Sequence, residues 1–369
     1  MLTIERHIAE QGYDRIHCRA NPVALPLGNK VLMLTQDLLI RATDCFSNLS
    51  LLQSEDGGRT WGKREPVPAL ADETFPDGSR QGLLTCGMRA MPDGLVLVWV
   101  DTFRYDAENK LDRAAFPQRA EYLYFDPVSG AWSQRRGLPL EVEPDADALA
   151  HNAQITEEAG DLLLPYSVRQ PSMRLYSRIA RLRRAPDGTI TRRESSEPIR
   201  LERGRGFFEP SLIRFGGKYF LSLRNDESGY GTCSDTWRSF PEAKKWCFDN
   251  GEWLGNYNTM TRFLQLGGKL YLVYTRKGLN NDHVFRHRAP LMIGEVDPAT
   301  CRVIAATEQV VVPEYGARLG NFTAVDLDAD HAYVSVAEWM QTLEPAWHEC
   351  EVCEKYGANN RSWYVELRH

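Results

Sequence analysis

Short apolar runs behind a Gly or Asp-Gly turn recur along the chain, each about seven strand-forming residues long and ending on a polar or charged position. They read GNKVLMLTQ from Gly28, DGLVLVWVD from Asp93, GDLLLPYS from Gly160, GGKYFLSLR from Gly216, GGKLYLVYTR from Gly267 and DHAYVSVAEW from Asp330. Successive starts lie 51 to 67 residues apart, room for one four-stranded antiparallel sheet with its loops. Most hairpins are followed by a further strand and an Asp-containing turn, as in LSLLQSEDGGRTW and YLYFDPVSGAW. The repeat predicts an all-β chain, a six-bladed β-propeller of four-stranded antiparallel blades, as a single domain over residues 1–369. Only short helices are expected, around Ile4 to Glu10 and Pro241 to Lys245, and the strand Ser362 to Arg368 is expected to close the ring by joining the first blade.

Composition supports a folded core, with 43% hydrophobic and 25% charged residues in 369. A formal net charge of -6 argues against nucleic acid or an anionic membrane as the main partner. No run of 18 apolar residues occurs, and the first ten residues lack the basic and apolar regions of a secretory signal, so a cytoplasmic protein is expected. The eight cysteines are scattered and read as reduced thiols. One cluster, His348, Cys350 and Cys353, offers three zinc ligands without a nearby fourth and reads as unpaired thiols. No cofactor and no catalytic metal are expected, since clustered His-carboxylate spacing is missing.

Ser54, Asp56, Gly58, Thr60 and Trp61 match the Asp-box, Ser-x-Asp-x-Gly-x-Thr-Trp, and Ser234-Asp235-Thr236-Trp237 is a degenerate copy. On these residues the chain resembles the sialidase (neuraminidase) superfamily. The motif itself is structural in that family, so Asp56 is not counted as catalytic. The resemblance implies a propeller that binds a substrate carboxylate with arginines, whose planar fork pairs bidentately and stays charged. Arg19, in CRANP, stands where the family's first arginine lies; Glu209 and Arg224 match its glutamate and second arginine; Arg288, or Arg286, matches the third. Asp44, in Arg41-Ala42-Thr43-Asp44 ahead of the Asp-box, matches the acid/base aspartate, with Arg41 beside it.

The pattern departs at the nucleophile. Sialidases use a tyrosine, and here the corresponding Gly320-Asn321-Phe322 places Phe322 there. Another tyrosine (Tyr257, less so Tyr315), direct attack by water assisted by Glu209 or Glu338, or loss of catalysis would each account for it. The segment Asn280 to Arg288 adds Asp282, His283 and Arg286 as candidates, His283 as a proton-transfer group. Aligning the hairpins by their turns sets Gln36, Asp101, Ser167, Arg224, Arg276 and Glu338 at one depth, which nominates Asp101, Arg276 and Glu338 at the axial mouth; His151-Asn152 is a further candidate there. The expected activity is release of a terminal acidic sugar, sialic acid or a related carboxylated sugar. The alternatives are a uronate-directed polysaccharide lyase using His283, His151 or Tyr257, and a glycan-binding propeller without catalysis.

Overall fold

The computed structural model describes residues 1–42, 44–112, 117–151 and 153–369, with the backbone alone at Cys86; Asn152 therefore lies outside the described residues. Six antiparallel sheets follow one another along the chain as the blades of a β-propeller. Blade 1 runs through His17–Leu27, Lys30–Leu39, Phe46–Ser54 and Glu65–Pro66, and blade 4 through Phe208–Phe215, Lys218–Arg224, Gly229–Ser234 and Lys244–Lys245. Blades 2, 3, 5 and 6 carry one extra short strand each. The six hairpins read from the sequence supply the second strand of each blade: Lys30–Leu39, Val96–Tyr105, Asp161–Arg169, Lys218–Arg224, Lys269–Tyr274 and His331–Trp339. Apolar clusters such as Val23, Leu32, Leu51, Val98 and Leu123 fill the space between neighbouring sheets.

Ring closure differs from the expectation. Ser362–Arg368 pairs with His331–Trp339 inside blade 6, and the N-terminal strand Thr3–Glu10 adds to its free edge in register from Thr3 opposite Arg368 to Ile8 opposite Trp363. The segment expected to be helical from Ile4 to Glu10 is thus a strand. Pairing with the open edge of Ser362–Arg368 satisfies that edge's outward backbone groups, and this outweighs a weak helical period. Arg6 ties the strand to blade 5 by donating to the carbonyls of Val311 (2.7 Å) and Val310 (2.6 Å). Pro241 to Lys245 is not helical either; Lys244–Lys245 pairs with Tyr230 and Gly231 as the outer strand of blade 4. The α-helix among the described residues is Cys350–Lys355, within the long blade 6 loop, and no helix there is long and apolar enough to cross a membrane. Cys350 and Cys353 are buried on it while His348 is exposed, and among the described residues no group of three or more His, Cys, Asp or Glu side chains is placed to hold a metal ion.

The Asp-box works locally. Ser54 Oγ donates to Asp56 Oδ1 (2.8 Å) and accepts the Gly58 N–H (2.8 Å), while Asp56 accepts the Thr60 N–H (2.8 Å) and hydroxyl (2.6 Å). These bonds pull the Asp56 carboxyl down to about 2. Gly58, at φ 89°, lies against Tyr364, whose ring a Cβ there would strike, and Trp61 meets the same ring edge-on at 5.7 Å. The turn therefore seats blade 1 on blade 6, at the seam where the ring closes. Asp56→Ala is expected to lower the melting temperature by about 2–4 °C and leave ligand binding unchanged, as measured by thermal unfolding with and without ligand.

Candidate functional site

A cavity of about 510 Å³ opens where the six blades meet. All six blades line it: Asp44 and Phe46; Leu84, Phe103 and Gln118; Leu149, His151, Arg169 and Leu175; Arg205, Phe208, Glu209, Arg224 and Asp226; Asn258, Phe285, Arg286 and Arg288; Arg318, Asn321, Gln341, Glu344 and Trp347. The wall is polarised. Blades 1 to 3 supply most of the aliphatic surface, and blades 4 to 6 supply five of the six arginines.

Local backbone geometry aims these groups. Asp44 (φ 55°), His151 (46°), Glu209 (47°), Asn258 (45°) and Arg286 (53°) are left-handed, a conformation that costs an L-residue roughly 1–2 kcal/mol and that collects at functional sites. Glu209 sits where the ladder between Phe208–Phe215 and Lys218–Arg224 slips between Phe208 and Ser211, so that its side chain turns inward toward Arg224.

Arg224 Nη1 donates to both oxygens of Glu209 (2.6 and 2.7 Å), and its Nη2 donates to Asn258 Oδ1 (2.7 Å). Asn258 also receives Arg288 Nη2 on its carbonyl (2.6 Å), which sets two guanidiniums side by side. Arg205 forks Asp226, with 2.6 Å from Nη2 to Oδ1, and Arg169 contacts Asp147. Arg286, Arg288 and Arg318 differ: among the described residues none has a carboxylate within ion-pair distance. Arg318 instead lies over the rings of Trp339 (4.4 Å) and Phe285 (4.8 Å).

Burial alone would raise the Glu209 carboxyl, but Arg224, with His151 and Arg288, holds it down at about 2. Burial, reinforced by Arg224, Arg318 and Arg286, pushes Arg288 well below the usual arginine range. Arg318, also buried, is lowered to about 10, opposed chiefly by Asp44. His151 is brought down to about 4 by burial, with Glu209 opposing and Arg224, Arg169 and Arg262 assisting. The pocket is a basic site holding a neutral imidazole and an ionised glutamate.

The cavity brings together Asp44, Glu209, Arg224, Arg286 and Arg288 from the sequence candidates, with His151. It does not include the others. Arg19 is held by Asp37 and lies 3.5 Å from Glu10, and Arg41 is exposed. Arg276 forks Glu308 (2.7 and 2.6 Å), a competing carboxylate that sequence depth did not reveal. Glu338 is buried within blade 6, accepting the N–H groups of Asn359 and Arg361 and the Arg361 guanidinium. Tyr257 bonds His287 Nδ1 (2.6 Å), Asp282 is exposed beside His287, and His283 pairs with Glu314 (3.0 Å) while stacking on Tyr356. Tyr315 stacks on Trp363. Phe322 is buried in an apolar cluster with Met260 and Leu319, while its neighbour Asn321 lines the cavity. Among the described lining residues there is no tyrosine.

Sequence reasoning missed Arg169, Arg205, Asp226, Gln118, Arg318 and Trp347. Arg169 ends the third hairpin two residues beyond Ser167, and Arg318 opens the last blade four residues before Phe322, so both were in reach of the strand pattern. Gln118 and Trp347 come from loops that carry no repeat.

These features define a six-bladed propeller with an arginine-walled axial cavity, the fold of the sialidases. The structure is similar to Trypanosoma rangeli sialidase in complex with sialic acid (14% identity, TM-score 0.62, covering 96% of this chain and 54% of that one). It is also similar to the NanB sialidase of Streptococcus pneumoniae (11%, 0.62, 98% and 70%) and to Penicillium chrysogenum α-L-arabinanase complexed with arabinobiose (12%, 0.54, 98% and 98%). At these identities the likeness is one of fold, and the chain spans about half the length of the trypanosomal enzyme. No family model matches the sequence, and no curated protein matches it.

Removing one side of the buried Glu209–Arg224 pair leaves an uncompensated charge. Glu209→Ala is expected to cost about 3–5 kcal/mol in urea unfolding at pH 7. The native carboxyl lies below its unfolded value of 4.5, so the contribution is complete above about pH 4.5 and is lost as pH falls toward 2; the gap between the two proteins should narrow across that window.

Proposed function

We propose that the chain is a glycoside hydrolase that releases a terminal acidic sugar, sialic acid or a related carboxylated sugar. The observation that carries this reading is the trio Arg286, Arg288 and Arg318: three cations without a carboxylate in ion-pair distance among the described residues, lowered by burial and by the neighbouring arginines, in a cavity of sugar size. A bound carboxylate would supply the missing counter-charge through bidentate, charge-assisted bonds. The apolar wall of blades 1 to 3 suits the less polar face of a sugar ring.

Asp44, on the blade next to Arg318, is the acid in this reading and gives its proton to the departing glycosidic oxygen. Glu209 is engaged by Arg224 and stays ionised, which favours an electrostatic role toward a developing oxocarbenium ion over proton donation. The lack of a tyrosine among the described lining residues supports direct attack by water and inversion at the anomeric carbon.

A panel of aryl glycosides of acidic sugars, followed by proton NMR, tests substrate class and stereochemistry together. Release of the inverted anomer is expected; the retained anomer as first product would refute direct attack. An absorbing unsaturated uronide would point to the lyase, and binding without turnover to a glycan-binding propeller. Arg288→Leu should lower kcat/KM by about 10- to 100-fold, the worth of one charge-assisted bond, while raising the melting temperature, because it removes a buried unpaired cation. Asp44→Asn should lower kcat by about 10²–10⁴.

A further inference from the structure

Direct attack requires a group that accepts the proton of the incoming water, and most carboxylates at the cavity are already engaged. Arg224 occupies both oxygens of Glu209, Arg205 forks Asp226, and Arg169 holds Asp147. Asp44 serves the departing oxygen, and Glu344 is exposed at the rim.

His151 is built differently. Asp101, fully buried in Val96–Tyr105 of blade 2, accepts the N–H of Ala150 on Oδ1 (2.8 Å) and the N–H of His151 on Oδ2 (2.7 Å). The same Oδ2 stands 3.8 Å from His151 Nδ1, a separation of the kind that shortens when a ligand completes a site. This grip holds His151 in its left-handed conformation on the cavity wall. Its Nε2 is screened from solvent and has no hydrogen-bond partner, and a buried orphan of this kind calls for a functional account. The charged groups facing the ring are Asp101 from blade 2, Arg169 from blade 3, Glu209 and Arg224 from blade 4 and Arg262 from blade 5. Under burial and the three arginines the imidazole stays neutral to about pH 4, so its lone pair is available at neutral pH.

We propose that His151 is the general base of this site and Asp101 its positioning residue. Ligand binding must uncover His151 Nε2, which is screened from solvent; as the water oxygen then bonds to the anomeric carbon and the glycosidic C–O bond breaks, one water proton passes to Nε2 and the Asp44 proton passes to the departing oxygen. Loss of the imidazolium proton to solvent and uptake of one by Asp44 restore both groups, so atoms and charge balance. The role rests on the hydrolase reading above.

The test uses the full chain and the aryl glycoside it cleaves fastest. His151→Gln is expected to lower kcat by about 10²–10³ with KM changed less than about threefold, and added imidazole should restore part of the rate to His151→Gly. Asp101→Asn removes an anion beside the ring and should move the acidic limb of the kcat profile to lower pH, a shift that a purely structural role would not produce. Should the His151 variants fail to fold, this profile decides. Wild-type kcat in His151→Gln, or a loss found in Glu344→Gln instead, overturns the assignment while leaving the hydrolase reading intact. Absence of turnover by the unaltered protein across the panel overturns both.

Discussion

Four sheets of the propeller depend on a belt of polar side chains at a common depth, one from each of blades 1 to 4, that ties each sheet to the next. Apolar faces alone leave neighbouring sheets free to slide, because the hydrophobic effect is not directional. Gln36 of blade 1 donates to Leu83 O (3.1 Å) and accepts the Thr85 N–H (2.9 Å) of blade 2. Asp101 of blade 2 takes two N–H groups of blade 3, Ser167 of blade 3 accepts the Glu209 N–H of blade 4 (2.9 Å), and Arg224 of blade 4 reaches Asn258 ahead of blade 5. Each bond satisfies a buried group that would otherwise cost about 1–3 kcal/mol, so register and stability are set by the same contacts.

The cavity breaks the rule that the belt obeys. Arg288 and Arg318 are 4% and 5% exposed, yet neither has a carboxylate within ion-pair distance among the described residues. A protein selected for stability alone would pair or replace such cations. Beside the engaged pairs Arg205–Asp226 and Arg224–Glu209, they are the charges that the carboxylate of the proposed substrate would neutralise.

Much of the fold was legible in the sequence because turn chemistry and strand period repeat six times, and the Asp-box is a short-range motif whose partners lie within seven residues. Ring closure was not, since which strand joins which edge is a long-range choice: the Thr3–Glu10 pairing depends on an edge more than 350 residues away. The site was partly legible. Glu209 and Arg224 were placed by their resemblance to the sialidase pattern around one hairpin, whereas Arg19 and Arg276 were consumed by Asp37 and Glu308, carboxylates that only the three-dimensional packing brings near. The depth alignment found the right ring of positions and misread its purpose: Gln36, Asp101 and Ser167 staple blades, and of the six aligned residues Arg224 alone faces the cavity.

Stability and chemistry meet where the belt touches strained backbone. Tyr105 of blade 2 donates to the carbonyl of Asp44 (2.8 Å), Asp101 holds the His151 N–H, and Ser167 holds the Glu209 N–H, so three left-handed residues of the cavity are each gripped by a neighbouring blade. Strained conformations persist only where their surroundings over-determine them, and here the over-determining bonds are those that align the sheets. The backbone positions of Asp44, His151 and Glu209 are therefore set by blade packing. Under the proposed function, a carboxylated ligand would meet backbone positions that the blades already hold.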